Sequence, residues 1–159
     1  AALLAAALEA ARRLAGACGP WTVIGGRTLP EADWRALVAR APGDVRLVRA
    51  VDDLPALLAD AAVSVSQAGY NTVAEAMALG RPMVLVPFAT GGETEQARRA
   101  EAVAAKGAAT VVAEHELDGA RLAAAVAARA RRPFPPFTLD VAGASRSTVL
   151  LEAIVEGRA

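Results

Sequence analysis

The chain holds a single cysteine, a single histidine, a single tyrosine and a single lysine, and its aromatic residues amount to 4%. The lone thiol, Cys18, has no partner for an intramolecular disulfide, and with only His115 beside it no zinc site can be completed. No zinc is therefore expected, no Asp-x-Asp motif calls for another metal, no cofactor is expected, and the scarcity of cysteine fits a reducing, cytoplasmic setting. Charge of one sign is lacking as well: 17 basic residues stand against 17 acidic ones, for a formal net charge of +0. That balance argues against nucleic-acid binding by phosphate neutralisation and against a polybasic membrane anchor. Long apolar runs are absent too. The apolar opening, residues 1–11, is interrupted by Glu9 and followed by Arg12-Arg13. It is too short to span a bilayer and lacks the basic leader of a secretory signal.

What the chain does have is 55% hydrophobic residues against 21% charged ones over 159 positions, enough for one domain with its own core, residues 1–159. Alanine makes up about a quarter of it and arginine stands almost everywhere in place of lysine; both read as coding bias rather than function. Helices are predicted over residues 1–17, 31–40, 54–61, 72–79, 93–106, 117–132 and 145–156. Short apolar runs at 21–24, 45–49, 62–66, 83–87 and 109–112 read as strands. Leu3, Leu4, Leu8 and Leu14 recur at helical spacing, Pro55 sits in a first turn, and Gly80 and Pro82 act as stops. The run Pro133-Phe-Pro-Pro-Phe137 separates the last two helices. Strands alternating with helices imply βαβ units: an α/β domain with a Rossmann-like parallel sheet covered by helices on both faces. Such domains open with a strand, whereas this chain opens inside a helix. The first strand and its loop are expected to be missing, and the chain reads as part of a longer protein.

In an open α/β sheet, ligands bind beyond the carboxyl ends of the strands. The richest loop there is Ser64-Val-Ser-Gln-Ala-Gly-Tyr-Asn-Thr-Val-Ala-Glu75. A strand ends at Ser66, Gly69 permits a tight bend, and a helix begins near Asn71 and Thr72. The unpaired amides of a helix start favour an anion, by about 0.3–1 kcal/mol and up to ~2 in a partly buried site. Glu75 lies one turn further on, where a carboxylate opposes a phosphate but suits the cis-diol of a ribose. Thr72-x-x-Glu75 is equally the pattern of a capping box, the commoner reading of such a tetrad, and the two roles do not exclude each other. The second loop, Phe88-Ala-Thr-Gly-Gly-Glu-Thr-Glu-Gln96, places Glu93, Glu95 and Gln96 at a helix start. They either complement the helix dipole or accept and donate hydrogen bonds to sugar hydroxyls. The third, Ala50-Val-Asp-Asp53, offers backbone groups to the edge of a base, with Asp52 or Asp53 as a helix cap.

The run Gln67-Ala-Gly-Tyr-Asn-Thr-Val-Ala-Glu75, followed by Gly80-Arg-Pro82, Val86-Pro87 and Glu95-Gln96, resembles the C-terminal, donor-binding half of GT-B nucleotide-sugar glycosyltransferases. The plant UDP-glycosyltransferase signature runs His-Cys-Gly-Trp-Asn-Ser-x-x-Glu and closes with Asp-Gln. Bacterial peptidoglycan N-acetylglucosaminyltransferases of family 28 carry a related Ser-Gly-Ala-x-Thr-x-x-Glu and close with Gln-Gln. Predicted bacterial glycosyltransferases with Ser-Gln-Ala-Gly-Tyr-Asn-Thr and Gly-Glu-Thr-Glu-Gln are more similar still. The likeness is dense over residues 45–110 and extends in outline over the rest.

The resemblance implies that Gly69, Asn71 and Thr72 contact a diphosphate, Glu75 the ribose hydroxyls, Glu95 and Gln96 the donor sugar, and the backbone of Val51 the base. Ser66, Gln67 and Ala68 complete the donor-binding set. Gln67 stands where the plant enzymes have a phosphate-contacting histidine, Glu95 where they have aspartate, and the Gly-rich loop expected before the first helix is missing. The resemblance further implies metal-independent, inverting transfer from a UDP-sugar, with the acceptor and the general base on a missing N-terminal domain. The catalytic residues are thus unassigned, and the chain alone is expected to bind donor but barely turn over. Any peripheral membrane contact would belong to that other half. Three alternatives remain open: a sugar-nucleotide hydrolase or epimerase of the same fold, a donor-binding subunit with a separate acceptor subunit, and a non-catalytic nucleotide-binding or structural domain. Other residues read more blandly: His115 as a solvated turn residue, Trp21 and Trp34 as core or rim, Arg27 as a surface arginine with a phosphate contact as its alternative, and Arg98-Arg99 as a solvated face from which one of the pair reaches the donor or a partner domain in the alternative reading.

Overall fold

The computed structural model describes residues 2–89, 94–136 and 143–156. Helix α1 (Ala2–Arg13) leads to β1 (Trp21–Ile24), α2 (Glu31–Arg40), β2 (Val45–Val48) and α3 (Leu54–Asp60). Then come β3 (Ser64–Ser66), α4 (Tyr70–Ala78), β4 (Met83–Leu85), α5 (Glu95–Ala105) and β5 (Ala109–Val111). A short 3-10 turn, Glu114–Glu116, precedes α6 (Gly119–Ala130), and α7 (Gly143–Val155) comes last. The alternation expected from the sequence is therefore present, with most elements shorter but α4 and α7 starting two residues earlier. Helix α1 stops at Arg13 rather than Ala17, because Ala17 and Cys18 both donate to the Leu14 carbonyl, at 2.9 and 3.1 Å, in turn geometry. β3 starts at Ser64 rather than Ala62, since Ala61 is engaged in closing α3 through its N–H to the Leu58 carbonyl. Glu93 lies outside the described residues.

All pairings are parallel. Trp21 faces Val45 and Ile24 faces Val48 in one sheet; in the other, of order β3-β4-β5, Ser64, Met83 and Ala109 stand in register. The single sheet expected from the alternation is thus seen as two pieces.

Alternation along β4 divides the interior into two cores. Val84 and Val86 join Leu8, Val23, Leu37, Leu122 and Val126, beneath α1, α2 and α6. Met83 and Leu85 join Val73, Met77, Ala100 and Val103, beneath α4 and α5. β4 is buried along its whole length, which explains its unbroken apolar sequence. Helix α4 ends in a Schellman cap: Gly80, at φ 65°, donates to Met77 at 3.1 Å, and Arg81 donates to Ala76 at 2.8 Å. Gly80 thereby turns the chain directly into β4.

The face that α1 turns inward is mostly alanine: Ala6, Ala7, Ala10 and Ala11 are buried beside Leu8. Small side chains let α1 and α6 approach closely, and α6 meets α1 with Gly119. A Cβ at Gly119 would overlap Glu9 Cγ and lie 2.5 Å from Glu9 Cβ. Gly119→Ala is expected to lower stability by about 1–3 kcal/mol in urea unfolding. Gly43→Ala, where a Cβ meets nothing within 4 Å, is the matched control and should leave the midpoint unchanged.

Candidate functional site

The site is built on the junction between β3 and α4. Ser66 is held in the ladder through its carbonyl, which accepts from Val86 N–H at 2.9 Å. Gln67 and Ala68 turn the corner, and Gly69 is the N-cap of α4, with φ −63° and ψ 143°. No side chain caps the helix start. The first helical bond runs from Val73 N–H to the Gly69 carbonyl at 3.1 Å, so the amides of Tyr70, Asn71 and Thr72 precede any intrahelical acceptor. A Cβ built on Gly69 meets nothing within 4 Å, so the space beside this turn is open. Asn71 is exposed and Thr72 half-buried. An open helix start with small neighbours is the geometry that accepts an anion.

The helix begins two residues earlier than expected, and that removes the capping box. Thr72 is the third helical residue rather than the N-cap, so Glu75 cannot reach back to a capped start. Glu75 lies instead in the second turn, and its Oε2 is buried with no hydrogen-bond partner. Ser66 Oγ, at the end of β3, is buried and unpartnered in the same way. Leaving such groups unsatisfied costs about 1–3 kcal/mol each, more for a charged group. Two orphaned polar atoms in one strand–helix unit call for a ligand that brings hydroxyl donors: a carboxylate only accepts, while a serine does both.

Helix α5 closes the other side. Glu95 is exposed and ion-pairs with Arg99 one turn on. Arg99 also donates to the Ala68 carbonyl at 2.7 Å, and its Cζ lies 5.6 Å from the centre of the Tyr70 ring. Arg99 is therefore no solvated surface residue: it ties α5 to the corner that leads into α4, whereas Arg98 is exposed as expected. Gln96 Oε1 accepts from Phe88 N–H at 3.1 Å, and Glu114 Oε2 accepts from Ala89 N–H at 2.9 Å. Gln96 thus braces the β4–α5 loop as well as standing at its edge. Gln67 faces a separate hollow shared with Ala2, Leu3, Val86, Phe88, Glu114 and Leu117. The structure brings Ser66, Ala68, Gly69, Glu75 and Glu95 into one strand–helix assembly, and Gln67 lines the hollow beside it.

Val51 is half-buried in the loop after β2, and Asp53 caps α3 through Ala56 N–H at 2.8 Å. Arg27 and His115 are exposed, as the sequence suggests. Sequence reasoning weighed the Arg98-Arg99 pair without telling which of the two turns inward, and it missed the tie to Ala68 and Tyr70. The signal available was the Glu95–Arg99 spacing of four, which on a helix places the two side chains together. Among the described residues no three His, Cys, Asp or Glu side chains gather to hold a metal ion, and no helix is long and apolar enough to cross a membrane.

Comparison with known proteins adds the family. Residues 24–138 match the model of the glycosyltransferase family 28 C-terminal domain. The chain is 41% identical over 92 residues to the UDP-N-acetylglucosamine–N-acetylmuramyl-(pentapeptide) pyrophosphoryl-undecaprenol N-acetylglucosamine transferase of Desulforudis audaxviator, covering 57% of this chain and 24% of that protein. It is 38% identical over 110 residues to the protein of the same name from Sorangium cellulosum, covering 64% of this chain and 27% of the relative. The chain thus spans about a quarter of the length of the curated relatives it matches. Among solved structures, MurG of Acinetobacter baumannii superposes with a TM-score of 0.69 at 22% identity, over 95% of this chain and 46% of that one, which shows the shared fold. The calicheamicin glycosyltransferase CalG4 superposes with a TM-score of 0.59 at 27% identity, over 87% of this chain and 36% of that one. Its parallel sheets and flanking helices are those of GT-B glycosyltransferases, and the match over most of its length places this chain in the glycosyltransferase family 28 C-terminal domain family.

Proposed function

We propose that this chain binds the nucleoside-diphosphate sugar donor of an inverting glycosyltransferase, the diphosphate at the amide end of α4 and the ribose at Glu75. The observation that carries this reading is the buried, unpartnered Glu75 Oε2 behind an uncapped helix start. A ribose diol supplies the donors that this oxygen lacks, and the diphosphate takes the free amides. UDP is the proposed nucleotide and N-acetylglucosamine a fitting sugar, because the relatives named above are transferases of that donor.

In this reading Asn71 and Thr72 add side-chain donors to the diphosphate, with Gly69 leaving room for it. Ser66 and the backbone of Gln67 and Ala68 form the corner beside it, the backbone of Val51 meets the base, and Glu95 and Gln96 meet the sugar. During transfer an acceptor oxygen attacks the anomeric carbon opposite the diphosphate. The carbon–oxygen bond to phosphate breaks, its electron pair leaves with UDP, and the acceptor proton passes to a base. The α4 amides stabilise the departing charge, the kind of preorganised donor set that acts most strongly where charge develops. Acceptor and base belong to the partner half of a two-domain enzyme, and the single cysteine fits a cytoplasmic setting.

Calorimetric titration of the chain with UDP, dTDP and GDP tests the reading directly: UDP should bind, and a chain that binds none of the three would sink it. Glu75→Ala should weaken UDP binding by about 1.5–3 kcal/mol, the range for a charge-assisted hydrogen bond. The same substitution should not lower stability in urea, since no cap is lost. Had the side chain capped the helix, the loss would be about 0.5–2 kcal/mol. Glu95→Gln should shift affinity for UDP-N-acetylglucosamine downward relative to UDP; equal changes for both ligands would remove Glu95 from the sugar.

A further inference from the structure

The segment from Ser66 to Glu75 contains no basic residue, and one oxygen of its only carboxylate, Glu75, is buried. A diphosphate seated on the α4 amides therefore finds no cation on its own loop, and Gln67 supplies none. The cation comes from the neighbouring helix. Arg99 sends one guanidinium nitrogen to the Ala68 carbonyl at 2.7 Å, one residue ahead of the Gly69 cap. Its other terminal nitrogen pairs with Glu95, and Tyr70, the first residue of α4, lies against it at 5.6 Å. The Arg99 side chain is only 18% exposed, while that of Glu95 is 77% exposed. The positive charge is thus fixed and shielded, whereas its counter-charge faces solvent.

We infer that Arg99 is the positioning residue and counter-charge of the diphosphate site, and that Glu95 attenuates it in the free protein. The inference rests on the donor-binding reading above. Arg99 does two jobs through one fork. The bond to Ala68 holds the corner from which the α4 amides project, and it fixes the guanidinium charge at that corner. Glu95 is also the residue proposed for the donor sugar. A sugar hydroxyl that engages Glu95 draws it from Arg99, leaving more of the guanidinium charge for the diphosphate. Nucleotide and sugar contacts are linked in this way through a single ion pair. An arginine suits the task because its planar fork serves a carbonyl, a carboxylate and an aromatic face at once, which an ammonium cannot.

The test compares UDP, UMP and uridine by calorimetry on the chain and its variants, with circular dichroism as the check on folding. Arg99→Met should weaken UDP by roughly tenfold at low salt, leave uridine nearly unchanged, and lose most of its effect at high salt. Arg99→Lys should recover part of the UDP affinity, since charge is retained and the fork is not. Glu95→Gln, which leaves Arg99 in place at an exposed position, should tighten UDP by about two- to fivefold and serves where the Met variant does not fold. Equal losses for uridine and UDP, independent of salt, would reduce Arg99 to a structural tie and overturn the inference. So would unchanged UDP affinity in Glu95→Gln. Wild-type binding of UDP separates these outcomes from failure of the donor-binding reading, because that reading falls only where the wild type binds no nucleotide.

Discussion

Where β3 gives way to α4, backbone donors leave the strand ladder before the helix has acceptors for them, and the rest of the domain holds that junction still. On the strand side, the Ser66 carbonyl is bonded to Val86. On the helix side, Val73, Ala76 and Met77 bury α4 against Met83 and Leu85. At its far end the cap through Gly80 and Arg81 leads straight into the buried β4. A helix tethered at both ends cannot turn its first amides away from the sheet edge. The free donors are consequently a stable feature of the surface rather than a frayed terminus.

Arginine forks do much of the remaining tethering. Arg49 donates to the Leu29 carbonyl at 3.1 Å, pairs with Glu31, and lies 4.8 Å from the centre of the Trp34 ring. Arg99 repeats the pattern with Ala68, Glu95 and Tyr70. In both cases a loop carbonyl, a glutamate in the first turn of a helix and an aromatic ring meet one guanidinium at a strand–helix connection. Arg129 is a third fork, 2% exposed, donating to Gly107 at 2.9 Å and to Pro133 at 3.2 Å. Burial, and secondarily the nearby Arg132, lowers its pKa from the ordinary arginine value. Carbonyl-anchored guanidinium groups of this kind give the preference for arginine over lysine a structural use that composition alone does not reveal.

The buried oxygens at Glu75 and Ser66 run the other way. Each is a polar group left without a partner, as is Arg129 Nε elsewhere in the interior, and each weakens the free fold. Sites that bind ligands commonly retain such local costs, because a group already satisfied within the protein has little to offer a ligand. The alanine-lined contact between α1 and α6 shows the opposite economy: close packing with no polar group left over.

Local patterning was enough to establish the order of strands and helices, the parallel α/β class and the residues of the β3–α4 loop, because period, stop signals and motif spacing are properties of neighbouring residues. A helix cap at Asp52 or Asp53 and an apolar strand from Met83 were legible for the same reason. Three-dimensional packing decided the rest. Whether Thr72 caps α4 depended on a helix start two residues earlier, at Tyr70, which the apolar pattern does not mark. Whether Arg99 faces water or the Ala68 carbonyl depended on how α5 lies against α4, a relation between segments 31 residues apart. The division of the strands into two sheets and the burial of Glu75 Oε2 likewise arise only when distant segments meet, since hydrogen-bond satisfaction and solvent exclusion are set by what surrounds an atom rather than by what precedes it in the chain.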